Sequence, residues 1–447
     1  MIHKNILFDY LKRSRISISL TNILLFSFAF FISISNTVSS FILILFLVLL
    51  LFQKNNRNNI RKLYNNEVIN AILFFIIFVS ISYLWSINNS FFSSINQYII
   101  ILFIPVLASL NYTEKEKQVS IIFFLFGVFT NIIASLIITK LNQFEFIDKL
   151  YFLKNDHYKN IFYLRGFIDH SNLSIFTSFS IFIILEYFFK VKLKTKKIGF
   201  IILILILVFF LIYSYGRTGL ILFLILGPIY FLMKKPEKIK IFMSFLFLLI
   251  TIIIFTPNPL KSRIKLTYNL NKNLSVEEKI LNDAKYMSDS LGNNINYWVE
   301  KINKNENWKN EVINKKTNES IKKRLEIWRE FSNEINSNLL LGKGLGSIKK
   351  IIDDENNSIN MMPHNSYLLI FFEFGVIGFL LFLNIFYSQL KLALQNKKNE
   401  LYFLRLIFTI AFLICMLIND YIVIFNTVCF FTLFSALLFI EKNTIKQ

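Results

Sequence analysis

The sequence predicts an all-α polytopic membrane protein with about twelve transmembrane helices, and three observations support this class. Of its 447 residues, 55% are hydrophobic and only 17% are charged, whereas a soluble protein carries about a quarter charged residues. The mean hydropathy is +0.53. Apolar stretches long enough to cross a bilayer recur along the chain between lysine-rich connections. So much apolar surface cannot be buried in one water-soluble core, and lipid is therefore the expected solvent.

Each apolar stretch predicts one membrane-spanning helix of about 20 residues. A basic N-terminal segment precedes the first stretch, and because no small-residue cleavage site follows it, we expect a signal anchor. The predicted spans cover residues 17–35, 38–52, 67–85, 92–110, 118–139, 171–189, 198–214, 217–233, 240–256, 365–388, 400–418 and 421–440.

The positive charges predict how these helices are oriented. The net charge is +21, and with a cytoplasmic N-terminus the basic residues of the short connections fall on the cytoplasmic side. They include Arg57, Arg61, Lys62, Lys190, Lys192, Lys194, Lys196, Lys197, Lys234, Lys235, Lys238, Lys240, Lys391 and Lys397. We therefore expect a multi-pass membrane protein with both termini in the cytoplasm and with membrane lipids as partners of its basic loops. No nucleic-acid-binding motif accompanies the charge, so nucleic acid is not an expected partner.

Two long connections, about 140–170 and 257–364, are predicted to lie on the outer side of the membrane, and the second is expected to be mostly helical. Metal and thiol chemistry are not indicated. The two cysteines, Cys415 and Cys429, lie inside apolar segments, and the four histidines form no metal-ligand motif. We expect no protein-held metal and no cofactor.

Four separate segments are predicted to place polar groups at the same outer edge of the membrane. They are RGFIDHSN, YGRTGL, KKRLEIW and PHNSY, which carry Arg165 and His170, Arg217, Arg324, and His364 respectively. Arginine forks bind phosphate groups bidentately and stay charged. His364 is predicted at a helix N-terminus, where the helix dipole disfavours a protonated imidazole, and this placement suits a general base.

Each feature also has a purely structural interpretation. Arginines at a membrane edge often extend to lipid phosphates, and a histidine there can act as an interfacial cap. Arg324 lies on a predicted amphipathic helix whose apolar stripe, Ile321, Leu325, Trp328 and Ile335, is typical of packing. The alternating glycines Gly342, Gly344 and Gly346 fit a turn better than a phosphate-binding nest.

Taken together, these motifs resemble the O-antigen ligase and polymerase family. His364-Asn365, followed after nine residues by Gly375-Val376-Ile377-Gly378, is similar to the ligase signature, although Phe379 stands where ligases often have Thr. YGRTGL resembles the Ser-Arg-Thr-type hairpin of the family, with Gly216 in place of Ser. RLEIWREF and LLLGKGLGS resemble its Arg-x-x-x-Trp and Gly-x-Gly stretch, and RGFIDHSN resembles the entry to an earlier span, with Ser171 in place of Pro.

The resemblance implies a metal-independent, inverting glycosyltransferase with a GT-C-like fold. Its donor would be a glycan on undecaprenyl pyrophosphate, and its acceptor would be the lipid A–core of lipopolysaccharide. By motif position, Arg217 and Arg324 would bind the pyrophosphate, His364 would activate the acceptor, and Arg165, His170, Asn365 and Tyr367 would line the pocket. The chain then divides into N-terminal helices 1–163, a catalytic region 164–390 that includes the periplasmic loop 257–364, and C-terminal helices 391–447.

Three other functions remain open at this stage. An O-antigen polymerase joins repeat units on the same lipid carrier, and a protein O-oligosaccharyltransferase uses a protein acceptor. A polysaccharide or lipid transporter belongs to a different class. Transport is disfavoured because few ionisable residues lie inside the predicted spans and the polar groups cluster at one membrane edge.

Overall fold

The computed structural model describes residues 19–88, 90–143, 166–214, 216–255, 275–278, 280–281, 284–285, 294–306, 308–309, 319–335, 338–353, 361–397 and 399–440. Across these ranges the chain forms helices and no strand. The helices are α1 Leu20–Phe31, α2 Asn36–Phe52, α3 Lys54–Lys62, α4 Glu67–Ile81, α5 Phe91–Ile99, α6 Phe103–Ser109, α7 Glu114–Gln143, α8 His170–Lys190, α9 Lys194–Tyr213, α10 Arg217–Lys234, α11 Ile239–Phe255, α12 Ile295–Lys304, α13 Glu319–Ile335, α14 Ser347–Asp353, α15 Ser366–Gln395, α16 Tyr402–Cys415 and α17 Phe425–Phe439.

Each predicted span coincides with an apolar helix, and the all-helical, multi-pass membrane class is confirmed. Within the described residues, eight helical segments are long and apolar enough to cross a bilayer: Glu67–Trp85, Phe91–Ser109, Glu114–Ile138, His170–Lys190, Lys194–Tyr213, Arg217–Lys234, Pro236–Phe255 and Ser366–Gln395. The other four predicted spans correspond to α1, α16 and α17, which are shorter, and to α2, which is followed by a sharp bend of 96°. The total of twelve spans stays a prediction.

The chain forms two compact units, residues 132–330 and residues 1–131 with 331–447. In the first unit, α8 packs against α9 and α10, and α10 packs against α11. A methyl group added at Gly227 of α10 would lie 2.4 Å from the ring of Phe242, so the absence of a side chain lets α10 and α11 approach closely. The rings of Phe231 and Phe242 stack with their centroids 4.4 Å apart.

In the second unit, α15 is interrupted at Gly375, whose φ of +62° belongs to the left-handed region. This break leaves backbone groups of α15 without partners inside the helix, and the segment 338–346 supplies them. The Lys343 N–H donates to the carbonyl of Phe372 at 3.0 Å, and the Val376 N–H donates to the carbonyl of Leu339 at 2.9 Å. The segment 338–346 and the kink therefore complete each other's backbone hydrogen bonds.

The alternating glycines use their backbone amides inside the protein. Gly342, Gly344 and Gly346 all have positive φ. The Gly342 N–H donates to the carbonyl of Asn338 and the Gly344 N–H donates to that of Glu373, both at 2.8 Å. These contacts favour the turn interpretation over a phosphate nest, since a nest requires amides directed at a ligand.

Glu373 is buried and pairs with a residue of another helix. The hydroxyl of Tyr98, on α5, donates to Glu373 Oε2 at 2.8 Å. Both side chains are almost completely inaccessible. An acidic group in a membrane helix commonly finds such a partner, and we assign it no chemical role.

The described part of the connection between α11 and α13 has a small hydrophobic core of its own. Ile280, Ala284, Trp298 and Ile302 are buried together. The rings of Trp298 and Trp308 meet edge to face, with centroids 6.3 Å apart. The helical character expected for this connection is thus present in its described residues.

Candidate functional site

The strongest sequence motif forms the turn that leads into α15. The prediction placed His364 at the first turn of this helix, but α15 begins at Ser366 and Asn365 is its N-cap. Asn365 Oδ1 accepts hydrogen bonds from the N–H groups of Tyr367 at 2.9 Å and Leu368 at 3.2 Å. His364 precedes the cap with a φ of +50°. A non-glycine residue in this region is uncommon and is held there by its surroundings.

A buried carboxylate holds this turn in place. Asp420 Oδ2 accepts from the His364 N–H at 3.0 Å, and Asp420 Oδ1 accepts from the Asn365 N–H at 2.8 Å. The Asp420 side chain is only 6% exposed. Hydrogen bonds from backbone N–H groups to a buried carboxylate are charge-assisted and directional. It therefore fixes the backbone on which the imidazole is carried.

Two residues of the connection between α16 and α17, Asn419 and Asp420, lie beside the imidazole ring. His364 Nδ1 lies 3.0 Å from Asn419 Oδ1 and 3.8 Å from Asp420 Oδ2. Because an amide oxygen only accepts, this contact places the hydrogen of the neutral ring on Nδ1 and leaves the lone pair on Nε2. The ring is 36% exposed, so its outer edge can be reached from outside. Only the helix dipole was expected to act on this ring from the sequence, and the structure adds a nearby carboxylate, that of Asp420.

Other residues of the motif tie this turn to α16. The Tyr367 hydroxyl donates to the carbonyl of Leu413 at 2.7 Å. The Ser366 N–H donates to the carbonyl of Met416, and its Oγ donates to the carbonyl of Asn419, both at 2.9 Å. Tyr367 thus has a structural contact, and its contribution to a pocket, like that of Asn365, stays a prediction.

Asn419 and Asp420 were not identified as site residues from the sequence. They are separated from His364 by 55 and 56 positions, and no motif connects them. One signal was present, because they form a polar pair in a short outer connection between two apolar stretches. Because the candidate base is expected at the same membrane edge, this polar pair could have been predicted to belong to the site.

In the other unit, the structure brings the predicted Arg217 hairpin next to the start of α8. A Cβ atom at Gly216 would lie 2.4 Å from the carbonyl oxygen of His170 and 2.4 Å from the side chain of Ser174. The Gly219 N–H donates to Ser174 Oγ at 3.1 Å. No side chain fits at position 216. This close contact explains the glycine at a position where the O-antigen ligase family usually has serine.

His170 and Arg217 each begin a helix at this contact. His170 Nδ1 lies 3.3 Å from Asp169 Oδ1, while Asp169 Oδ2 caps α8 by accepting from the Ser171 N–H at 3.0 Å. Arg217 is the first residue of α10, and its side chain is exposed. The backbone of His170 therefore lies next to the turn that carries Arg217.

Arg324 lies on α13, and the apolar face of this helix differs from the predicted one. Ile327, Phe331 and Ile335 are buried, at a spacing of four residues, whereas Leu325 is 57% exposed. Arg324 itself is half-buried. The predicted stripe is thus wrong at Leu325, because the buried face of the helix is the one that carries Ile327 and Phe331. Ile321 belongs to the predicted stripe, but the structure does not describe its side chain, and Arg165 lies outside the described residues altogether.

The helices and the His364 turn define a multi-pass membrane protein with an accessible imidazole held by an amide and a carboxylate. Residues 201–383 match the model of the O-antigen ligase family. This match confirms the resemblance predicted from the motifs, and it contains Arg217, Arg324 and His364.

Two proteins of the genus Rickettsia are similar to part of the chain, and their names describe them provisionally as polysaccharide ligases. The protein from Rickettsia conorii is 35% identical over 94 residues, which is 19% of this chain and 23% of that protein. The protein from Rickettsia felis has the same identity and coverage. The similarity thus spans about a quarter of each relative's length.

Proposed function

We propose that this protein is a glycosyltransferase that moves O-antigen from undecaprenyl pyrophosphate to the lipid A–core of lipopolysaccharide at the periplasmic face of the inner membrane. The observation that carries the proposal is the His364 turn, in which Asn419 and Asp420 hold the imidazole. His364 also lies within the region that matches the O-antigen ligase family. Nε2 of this partly exposed side chain suits the activation of an acceptor hydroxyl.

In the proposed reaction, His364 Nε2 takes the proton of the acceptor hydroxyl. The acceptor oxygen attacks the anomeric carbon of the donor sugar, and the bond from that carbon to the pyrophosphate oxygen breaks. Undecaprenyl pyrophosphate leaves with the bonding electrons, and the configuration at the anomeric carbon is inverted. Asp420 stabilises the imidazolium as it forms, in the manner of a carboxylate behind a catalytic histidine.

Arg217 and Arg324 are proposed to bind the pyrophosphate and to neutralise its charge as it leaves. Guanidinium groups suit this role because they stay charged and bind phosphate oxygens in pairs. The arginines would supply the electrophilic contribution to the reaction, and the mechanism requires no metal from the protein. A purified enzyme should then keep its activity in EDTA, and a strict requirement for a divalent cation would contradict this part of the proposal.

Deletion of the gene followed by gel analysis of lipopolysaccharide tests the function. Loss of the whole ladder, with accumulation of lipid-linked polymer, is the expected result. Core carrying one repeat unit would identify an O-antigen polymerase instead. Unchanged lipopolysaccharide with altered glycoproteins would identify a protein O-oligosaccharyltransferase, and lipid-linked glycan retained on the cytoplasmic side would identify a transporter.

A further inference from the structure

A cavity of about 220 Å³ lies among α8, α9, α10 and α11, and none of the residues proposed for catalysis lines it. Every lining side chain is apolar. Its floor is formed by buried rings such as Phe231 and Phe242, while Ile201 and Leu205 of α9 line it and are 45% and 51% exposed. The cavity therefore opens to the side of the helical bundle, at α9, which is long and apolar enough to cross the membrane. An occupant that enters from this side comes from the hydrocarbon layer of the bilayer.

Three lysines stand about one helical turn from lining residues: Lys197 and Lys234 lie on the same helices as their neighbours, and Lys238 directly precedes α11. Lys197 precedes Ile201 by four positions and Lys238 precedes Phe242 by four, while Lys234 follows Phe231 by three. Residues three or four apart on a helix are neighbours, roughly 4.5–6 Å apart along the axis. A molecule with its apolar part in the cavity thus presents its other end to these ammonium groups.

Two aromatic rings at the C-terminal end of α8 lie close to two of these lysines. Lys197 Nζ lies 5.8 Å from the centre of the Phe188 ring, and Lys238 Nζ lies 5.2 Å from that of Phe189. These distances allow cation–π attraction. The lysines thus lie together at one end of the helices, about one turn from the cavity lining.

The local charge is strongly unbalanced. Nine lysines lie between residues 190 and 240, against two glutamates in residues 186–240. These lysines are Lys190, Lys192, Lys194, Lys196, Lys197, Lys234, Lys235, Lys238 and Lys240. Buried Glu186 pairs with Lys234 and also accepts a hydrogen bond from the Tyr230 hydroxyl at 2.9 Å, and Glu237 lies 3.7 Å from Lys235. Two acids cannot balance nine lysines, so this end of the four helices attracts anions.

We propose that this cavity binds an anionic glycerophospholipid, with an acyl chain against the apolar lining and the phosphate beside Lys197 and Lys238. The apolar lining offers nothing to the backbone of a peptide, which would leave its polar groups unsatisfied. An acyl chain requires only apolar contact, and the headgroup phosphate matches the lysines in charge and in depth. The orientation predicted from the basic loops would make this a lipid of the cytoplasmic leaflet.

The test uses full-length protein purified in detergent and stripped of phospholipid. Dioleoylphosphatidylglycerol should bind, as counted by native mass spectrometry, and should raise Tm more than the same concentration of dioleoylphosphatidylcholine. Equal binding and equal stabilisation by the two lipids would overturn the proposal, because the lysines would then contribute nothing.

Two matched pairs of variants locate the site. Ile201→Trp places a ring in the cavity mouth and should abolish the phosphatidylglycerol effect, whereas Ile202→Trp changes the adjacent exposed residue, which does not line the cavity, and should keep it. Lys197→Gln with Lys238→Gln should remove the preference for the anionic lipid, whereas Lys62→Gln with Lys397→Gln removes the same charge elsewhere and should not.

The double substitution Lys197→Gln, Lys238→Gln keeps the proposal testable if a tryptophan variant fails to fold. Both lysine side chains lie at the surface of the helical bundle, so their replacement should not disturb folding. Full lipid preference in the Lys197→Gln, Lys238→Gln protein would overturn the assignment. Undecaprenyl phosphate serves as a competitor. If it displaces phosphatidylglycerol at equal concentration, the cavity holds a polyprenyl chain, and the phospholipid assignment is wrong.

Discussion

Asp420 accepts a hydrogen bond at 3.0 Å from the backbone N–H of His364, a residue 56 positions earlier in the chain. The contact holds His364 at a positive φ just before α15. It joins the connection between α16 and α17 to the turn that carries the proposed base. The predictions for the His364 turn follow from this arrangement.

His364→Gln should lose most activity, because glutamine can form a hydrogen bond but cannot take a proton at neutral pH. Loss of general-base catalysis typically costs about 10²- to 10⁴-fold in rate. Turnover by the purified enzyme should fall more than donor affinity. His170→Gln provides the matched histidine control and should have a milder effect. Turnover near that of the wild type in the His364 variant would exclude the base role.

Asp420→Asn should lower turnover roughly 10- to 100-fold, because one oxygen that accepts a backbone N–H becomes an amide donor, and an unmet buried hydrogen bond costs about 1–3 kcal/mol. The turn would then no longer hold His364 in place. A double-mutant cycle with His364→Gln is the measurement. If Asp420 acts through His364, the second substitution adds little to the first. Fully additive losses would show that Asp420 acts independently of the imidazole.

Arg324→Ala should weaken use of the lipid-linked donor, since a charge-assisted bond to phosphate contributes about 1.5–3 kcal/mol, or roughly 10- to 100-fold. Arg329→Ala is the control, because Arg329 lies on another face of the same helix and is exposed. Initial rates at several donor concentrations would separate the two variants. Equal rates for both would leave Arg324 with no more than a surface role.

Gly216→Ala should destabilise the protein, because its Cβ would lie 2.4 Å from the His170 carbonyl oxygen and from Ser174. Overpacking of this kind typically costs about 1–3 kcal/mol. Gly199→Ala is the matched control, since nothing lies within 4 Å of a Cβ at that position. Thermal unfolding in detergent should show a lower Tm for the first variant alone. An unchanged Tm in both would mean that the hairpin can move away from α8.

Reporter fusions should read cytoplasmic after Lys197 and after Lys240, and periplasmic near Asn310, because basic residues are retained on the cytoplasmic side. Asn310 lies outside the described residues, so this prediction depends on the charge pattern alone. A cytoplasmic signal at Asn310 would place the connection before His364 on the wrong side for a periplasmic acceptor.

Much of the candidate site could be predicted from short motifs. His364, Asn365 and the glycines Gly375 and Gly378 lie within one stretch of the chain, and their spacing is visible in the sequence. Asn419 could not be assigned in this way, because its contact with the imidazole depends on how α16 packs beside α15. The exposure of Leu325 was predicted incorrectly for a similar reason. Periodicity indicates that a helix has an apolar face, but the neighbouring elements select which of the apolar residues are buried.

The membrane class and the positions of the apolar helices could be predicted from the amino-acid sequence alone. These follow from local physics, because a chain in lipid must satisfy its backbone hydrogen bonds within its own segment, and a helix does so with residues four apart. The tertiary structure alone decided that Asp420 holds the His364 turn and that the segment around Lys343 completes the kink at Gly375. Those contacts join groups far apart in the chain, and only the packing of the helices brings their donors and acceptors within hydrogen-bonding distance.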